Sequence, residues 1–424
     1  MLKKIFLYAA LLVPLQVRSQ EDTLVLQAPS VLDLQFLVVE AMMNNPEIKA
    51  ELDQMNIADA RVPQAGSLDY PELKFMQEAM PGFDFNQAMF SRLELMQSIP
   101  FPTKLTTKRE LASIQAEHAH HDHLEKINEV LARLKSAFYE LWLAQQNTIL
   151  DQENARLLSQ FVSIARTRYG VAEAPFQDVL KGQVELDMVN NDLISWHQHE
   201  FSAKAMLMSI LNRSPKDTIS SVVISEDVVF DAQLDTLLAV AMQLRPMIIH
   251  DSLSISENRT MLSLAKQNYI PDVKLGLERI TSPLSGFSGW SVSATLSLPF
   301  APWTLGKNSA QVEEAEASID KAQSSYIADR NMVVSNIKDL YYKANAGKQK
   351  LDVYRTGILP RAHQALDASL SAYQTGKTDF LMLIDSYRTF VNLTKEYFMI
   401  RMQFEQNKAN LEREVGTQNL SSVR

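Results

Sequence analysis

The sequence predicts a mainly helical fold with a small β part, built from two copies of one strand-and-long-helix unit. Three observations predict it. Short motifs recur in the same order roughly 200 residues apart, two long stretches lack proline, and short segments before those stretches alternate apolar with polar residues. Repetition at a fixed period indicates a duplicated architecture, and alternation with period two indicates strands.

The duplication rests on four anchors that keep nearly constant spacing. The recurring pairs are Leu37/Ala41/Pro46 with Leu237/Ala241/Pro246, Pro71–Lys74 with Pro271–Lys274, Ile99–Phe101 with Leu298–Phe300, and Tyr169/Phe176 with Tyr373/Phe380. We therefore predict a signal peptide at 1–19, a first repeat at 20–212, a linker at 213–230 and a second repeat at 231–424.

Each repeat is predicted to open with one helix, from about Val31 to Gln64 and from about Ala232 to Gln267, because apolar residues recur there at helical spacing. Two short alternating strands follow in each half. The long helices come last, because no proline lies between Pro102 and Pro175 and the second half is nearly as sparse. Such stretches far exceed the usual globular helix of roughly a dozen residues.

The N-terminus predicts export. Lys3 and Lys4 precede an apolar stretch, Ile5–Val17, that is too short to span a bilayer, which is the pattern of a secretory signal. The chain has no cysteine, which excludes disulfides, thiolate metal sites and a lipid-modified N-terminal cysteine. A net charge of −9 argues against nucleic-acid binding.

The strands suggest a wall between lipid and water. In Ser291–Leu298 apolar and hydroxyl residues alternate strictly, and Trp290–Phe300 has about the length of a membrane-spanning strand. The alternative is a soluble sheet that packs its apolar face on a helix. Aromatic residues stand at both ends of the strands, where membrane girdles would lie: Phe90 and Trp290 at the loop end, and Phe101, Phe300 and Trp303 at the helix end.

Four strands cannot close a barrel, and lipid tolerates no open sheet edge. The chain must therefore oligomerise if its strands lie in lipid. Three copies would give a transmembrane β-barrel of twelve strands, four per chain, that can leave a water-filled lumen. The long helices would continue this wall as a trimeric α-helical barrel, because a helix of about 60 residues reaches roughly 90 Å.

Over essentially the whole mature chain, the sequence resembles the TolC family of outer-membrane efflux proteins. The features that carry the resemblance are the duplicated openings at Ala41–Pro46 and Ala241–Pro246, Ile99–Pro102 with Lys104, and Tyr373–Phe380 leading into Asp385, with a counterpart at Arg168–Gly170 and Phe176–Leu180. Each motif is degenerate, and their order and duplication make the match specific.

The resemblance implies a homotrimeric channel in the outer membrane of a Gram-negative bacterium, with its helical part in the periplasm. It implies docking to a periplasmic adaptor protein and an inner-membrane pump of the resistance-nodulation-division type. Tyr169, Gly170, Gly376 and Lys377 would then lie at the helical tips that meet the adaptor. Such a channel serves tripartite efflux or type I secretion, and the sequence does not identify the cargo.

By the same resemblance, Asp178 and Asp385 are candidates for a channel gate, and a solvated helix face is the alternative for both. Thr378 stands where the family has a linking arginine, and Met382 stands where a second lumenal acid would be. These two departures put the family's gate salt bridge in doubt for this chain.

We predict no cofactor and no metal site. His118, His120, His121 and His123 are the candidates to consider, because spacing puts 118 with 121 and 120 with 123 on shared helix faces. No third ligand is evident, and a polar outer face explains the cluster as well. Residues 80–85 and Pro100–Pro102 nevertheless resemble the heavy-metal efflux branch of the family, which suggests metal ions as cargo.

The sequence shows no phosphate-binding glycine loop and no hydrolase or metalloprotease motif, so we predict that the chain is not an enzyme. The main alternative to a channel is a soluble periplasmic coiled-coil adaptor or interaction protein. Two helical hairpins and lipid-type strand alternation disfavour that alternative.

Overall fold

The computed structural model describes residues 33–424 except for 80–81, 83–87, 215–216, 218, 220, 283, 419 and 421–424. The predicted signal peptide lies outside the described residues, as do most of residues 80–85. The boundaries proposed for the signal, repeats and linker stay predictions.

The described elements follow one another in the same order in both halves. The first half contains helices α1 (Leu34–Asn44) and α2 (Pro46–Ala65), strands β1 (Glu72–Glu78) and β2 (Phe90–Ile99), and helices α3 (Pro102–Gly170) and α4 (Phe176–Ile210). The second half contains α5 (Leu234–Leu244), α6 (Pro246–Gln267), β3 (Val273–Thr281), β4 (Ser288–Leu296), α7 (Pro302–Val353), a π-helical turn (Tyr354–Ile358), α8 (Leu359–Gln374) and α9 (Phe380–Val415).

The opening helix of each half is two helices rather than the single helix that the sequence predicted. Pro46 and Pro246 begin α2 and α6, and proline disfavours the helical conformation in the residue before it. Asn45 and Arg245 are accordingly extended, with ψ of 125° and 115°. The Asn45 side chain then caps α2 by accepting hydrogen bonds from two backbone N–H groups of its first turn.

The four strands form one antiparallel sheet in the order β1-β2-β3-β4. The pairing of β2 with β3 joins the two halves, and β1 and β4 are its edges. β4 ends at Leu296, so the predicted strand up to Phe300 was too long. Pro299 has no N–H to contribute to a ladder, and Phe300 lies in the turn before α7. The linker segment around Val222 does not join this sheet.

The long helices pack side by side, with α3 between its neighbours. Near the sheet α3 lies between α2 and α6, and farther from the sheet it lies between α4 and α9. α7 packs against α6 and α9, and α8 packs against α9. One lateral margin of the chain is therefore formed by α2 near the sheet and by α4 farther from it. The other margin is formed by α7 and then α8. Among the described residues, three large hydrophobic clusters lie around Leu134 and Leu207, around Ile337 and Phe404, and around Phe161 and Phe380, and a small one of alanines joins α2 to α3.

α7 and α8 are separated by the π-helical turn, whereas the equivalent α3 is unbroken over 69 residues. Pro360 lies two residues beyond this turn and lacks the N–H that would bond back into it. A local widening of the helix accommodates that missing bond. Among the described residues, no helix carries an apolar stretch long enough to cross a membrane.

Candidate functional site

One face of the sheet is apolar and exposed along its whole width. The strand register aligns Leu73, Leu95, Leu277 and Val292 in one row across all four strands. Leu73 is 69% exposed and Val292 80% exposed. Within the described part of the chain nothing covers this face, so it must meet another apolar medium or another molecule.

The opposite face of the sheet is charged and internally paired. Arg92 lies between two carboxylates, 3.2 Å from Glu78 and 3.0 Å from Glu278. Lys274 lies 3.2 Å from Glu72 on the neighbouring half of the sheet. These ion pairs cross strand boundaries, so they hold the strands in register on a face that is suited to water.

Four of the five predicted girdle aromatics are exposed at the two ends of the sheet. Trp290 is at the hairpin end, on the apolar face, with the Arg279 guanidinium 5.1 Å from its ring centre. Phe101, Phe300 and Trp303 lie at the helix end and are all exposed, Trp303 by 84%. Whether any of them meets a membrane interface stays a prediction.

Phe90 does not fit the prediction. It pairs with Glu78 in the register and shares a face with Arg92, whose guanidinium lies 5.9 Å from the Phe90 ring centre. Because successive strand residues point to opposite faces, Phe90 belongs to the charged face.

The junction between sheet and helices is fixed by Lys104, which the sequence motif contains. Lys104 is buried, and its Nζ donates to the carbonyl of Ile270 at 2.8 Å and lies 2.9 Å from Asp272 Oδ1. The Phe101 N–H donates to the same carboxylate at 3.0 Å. One residue of the second repeat thus anchors the start of α3.

The two hairpin tips, residues 170–176 and 374–380, have the same backbone pattern. Ala172 and Gly376 both have left-handed φ, at 61° and 72°. The N–H of Glu173 donates to the Arg168 carbonyl, and that of Lys377 to Ala372, in each case closing the turn at the end of the helix. The two tips therefore share one backbone conformation although their sequences differ.

Tyr169, Gly170, Gly376 and Lys377 all lie at these tips, and their contact with an adaptor stays a prediction. Gly170, however, is the last residue of α3 and does not provide the left-handed turn, because Ala172 does so. Tyr169 is half-exposed with its ring 5.2 Å from that of Phe176, and Lys377 is exposed.

Asp178 takes part in a link between the two tips. The Tyr373 hydroxyl donates to Asp178 Oδ2 at 3.4 Å, and Arg168 donates to the Tyr373 carbonyl while its guanidinium lies 4.9 Å from the Tyr373 ring centre. Burial raises the pKa of Asp178, and burial together with the nearby Asp178 charge raises the pKa of Tyr373 to about 12. Tyr373 is therefore a neutral donor at any physiological pH.

Asp385 has a different environment and is exposed on α9. Thr378 and Met382 also lie near this tip. The Met382 N–H donates to Asp379 Oδ1 at 2.9 Å, so the Asp379 side chain caps α9. The two gate candidates therefore differ in environment. Asp178 is partly buried and links the two tips of one chain, whereas the Asp385 side chain is exposed on the surface of α9.

Two further links between the second hairpin and the first were not found from the sequence. Arg388 of α9 makes two hydrogen bonds to the Glu185 carboxylate of α4. Lys395 of α9 lies 2.9 Å from the fully buried Asp151 of α3 and 3.1 Å from Asp192 of α4. No sequence signal distinguishes these residues from other helix-surface charges.

The four neighbouring histidines do not gather into one site. His118 faces α6, where its Nε2 lies 3.2 Å from Glu257 Oε2, whereas His120 faces α2, with its Nδ1 3.3 Å from Met55 Sδ. In the part of the chain that the structure describes, no three His, Asp or Glu side chains are arranged to hold a metal ion.

Comparison with known proteins agrees with this geometry. Residues 237–417 match the family model described as outer membrane efflux protein. A relative, the cobalt-zinc-cadmium resistance protein CzcC of Cupriavidus metallidurans, is 20% identical over 393 residues, which are 92% of this chain and 91% of the relative.

Solved structures give the same answer for the fold. The outer membrane protein VceC of Vibrio cholerae is similar with a TM-score of 0.77 at 16% identity, covering 91% of this chain and 96% of that one. The MtrE outer membrane channel of Neisseria gonorrhoeae is similar with a TM-score of 0.74 at 14% identity, covering 94% of each chain. The predicted mainly helical fold with four strands per chain, and the family resemblance, are confirmed.

Proposed function

We propose that this chain is the outer-membrane channel of a tripartite efflux or type I secretion system, because residues 237–417 match the outer membrane efflux protein model and the CzcC relative is similar over 92% of this chain. The observation that carries the proposal is the sheet with one exposed apolar face, one ion-paired face and two open edges. A sheet of this kind is stable in a bilayer only when its edges are paired and its charged face encloses water.

Three copies satisfy both conditions. The edge strands β1 and β4 of neighbouring copies would pair, and twelve strands would close a barrel around a lumen lined by residues such as Arg92 and Glu278. α3 alone contains 69 residues, which corresponds to a helical length of about 100 Å. The helical barrel would therefore extend far into the periplasm.

The lateral margins of the helical layer also favour assembly. Four apolar residues spaced by four, and therefore on one face of α4, are exposed in the single chain: Phe176, Leu180, Val184 and Met188. On the opposite margin α7 exposes Tyr342 and Val353. A ring places one margin of each copy against the other margin of the next, so both apolar surfaces would be buried.

The tips would face the periplasmic partners. Tyr169, Gly170, Gly376 and Lys377 form an exposed end that a periplasmic adaptor could contact, and the adaptor would connect the channel to an inner-membrane pump of the resistance-nodulation-division type. In this arrangement Asp178 and Tyr373 hold the two tips of one chain together, and three copies of Asp385 would form a ring at the end of the lumen.

The cargo is proposed from the relative alone. CzcC is named as a cobalt-zinc-cadmium resistance protein, and metal ions are accordingly the cargo that we favour. A channel of this kind needs no resident metal, which is consistent with the divided histidine cluster. It needs no catalytic group either, because the pump supplies the energy.

Detergent extraction of the outer membrane tests the proposal. We expect the full-length chain in the outer-membrane fraction, as a trimer that persists in mild detergent and falls to monomer on heating. The soluble adaptor interpretation predicts instead a chain released with the periplasmic contents, and that outcome would overturn the proposal.

A further inference from the structure

In the part of the helical layer near the sheet, the first repeat meets the second where α3 packs against α6. Two histidines are in contact at this interface. The rings of His118 on α3 and His250 on α6 meet edge to face, with centroids 4.3 Å apart. The His118 side chain is only 11% exposed. This contact lies outside the sheet and the tips, and the proposed channel function does not use it.

The buried His118 ring lacks hydrogen-bond partners among the described residues. Neither of its ring nitrogens makes a hydrogen bond of acceptable geometry, although Nε2 lies 3.2 Å from Glu257 Oε2. The other Glu257 oxygen already accepts a hydrogen bond from Gln115 at 2.9 Å. A second proton on the His118 ring would therefore place a buried N–H at Nδ1 without an acceptor.

Several charged groups face this pair. From α3, Asp122 Oδ1 lies 3.7 Å from His250 Nε2, and from α6 Asp251 Oδ1 lies 3.6 Å from His250 Nδ1. Asp329 of α7 interacts electrostatically with Asp251, and His250 interacts electrostatically with His121 of α3. The carboxylates favour a positive charge at the interface, whereas burial and the contact between the two imidazoles oppose it at His118.

The balance at His118 is unfavourable to the charged form. Burial, and after it the neighbouring His250, lower the pKa of His118 despite the opposing carboxylates of Glu257 and Asp122. A histidine whose pKa is lower in the folded chain than in the unfolded chain contributes stability at pH values above its pKa in the unfolded chain. That stabilisation is lost as the pH falls through 6.5 toward the folded value, because the unfolded chain then binds more protons.

We propose that the His118–His250 contact makes the junction between the two repeats acid-sensitive, so that the helical layer is firmly joined at neutral pH and weakened by mild acid. The proposal goes beyond the channel function and does not depend on it, because it concerns only how the two halves of one chain stay together. Other groups act alongside: burial lowers the pKa of His121, which acts in the same direction, and raises the pKa of Asp251, which acts in the opposite one.

The test is the pH dependence of thermal unfolding of the purified full-length chain in detergent, between about pH 8 and about pH 5. The variant His118→Gln removes the titrating ring and keeps a polar side chain. His120→Gln is the matched control, because His120 lies on the same helix but is exposed and faces Met55. We expect the melting temperatures of wild type and His120→Gln to fall by the same amount between these two pH values. The melting temperature of His118→Gln should fall by roughly 1–3 °C less.

A pH dependence in His118→Gln equal to that of wild type would overturn the proposal. If that variant does not fold, His250→Gln serves in its place, because it removes the other half of the contact. Hydrogen–deuterium exchange at the imidazole C2 position of the wild-type chain gives a direct reading. A titration midpoint for His118 below 6.5 supports the proposal, and a midpoint at or above 6.5 contradicts it.

Discussion

At the scale of single residues, the close approach of three helices depends on Gly182 in α4. A Cβ atom at this position would lie 2.8 Å from Val162 Cγ2 on α3 and 3.2 Å from the Phe380 ring on α9. Three helices approach one another here because one of them has no side chain. The glycine is needed for space, since its backbone is helical.

We therefore predict that Gly182→Ala destabilises the chain by about 1–3 kcal/mol, the usual cost of overpacking a well-filled core. Chemical unfolding of the purified protein measures it. Gly306→Ala in α7 is the control, because a Cβ there meets nothing within 4 Å and alanine favours the helix. Equal stability of the two variants would contradict the packing argument.

The exposed carboxylate of Asp385 makes a second prediction at this scale. If three copies ring the end of a lumen, Asp385→Ala removes three negative charges and lowers the preference for cations. We expect a fall of up to about tenfold at low ionic strength, where screening is weakest. Ion selectivity in planar bilayers measures it. Asp385→Glu keeps the charge and should behave as wild type, and unchanged selectivity in Asp385→Ala would exclude the ring.

Residue directions explain which of the predicted strand aromatics lie on the apolar face of the sheet. Trp290 and Val292 are two positions apart in a strand and share a face, whereas Phe90 and Leu93 are three apart and cannot. The sequence alone therefore contained the signal that excludes Phe90 from a girdle. The left-handed conformation of Ala172 could not be predicted from the sequence, because glycine adopts that conformation most readily and Gly170 lies two residues earlier.

At the scale of elements, β4 offers the sharpest contrast between the two faces of the sheet. Val292 lies on the apolar face, and its neighbour Ser291 lies on the charged face opposite Glu278. A lysine on a lipid-facing position near mid-membrane costs about 2–4 kcal/mol, whereas one beside a carboxylate in water costs little.

We predict that Val292→Lys sharply reduces the amount of trimer in the outer membrane and that Ser291→Lys does not. Quantitative immunoblotting of unheated outer-membrane extracts measures both variants. The pair carries the same substituent at adjacent positions, so a difference reflects the face alone. Equal recovery of the two variants would mean that the apolar face does not meet lipid.

The order of elements was predictable because the repeated motifs and the apolar periodicity can both be read directly from the sequence. Prolines misled in one respect, since Pro46 and Pro246 each begin a new helix rather than lying within one. Pro360 was visible as well, but a π-helical turn before it depends on how the next turn absorbs the missing hydrogen bond. Partners such as Glu185 and Arg388 lie far apart in sequence and were not predictable.

At the scale of the whole molecule, the two repeats do not form separate domains. They share one sheet through β2 and β3, meet along α3 and α6, and are fastened at the sheet by Lys104 and Asp272. The need for further copies could be predicted from the sequence, because four strands leave open edges that lipid does not tolerate. The His118–His250 contact between the repeats could not, because helix spacing says nothing about the opposing helix.

The measurement that tests the central claim most directly is the conductance of the purified trimer in a planar lipid bilayer. A twelve-stranded barrel with an ion-paired inner face predicts uniform current steps that grow with salt concentration. Trimers that insert into the bilayer without producing any ion current would contradict the claim that this chain forms a channel.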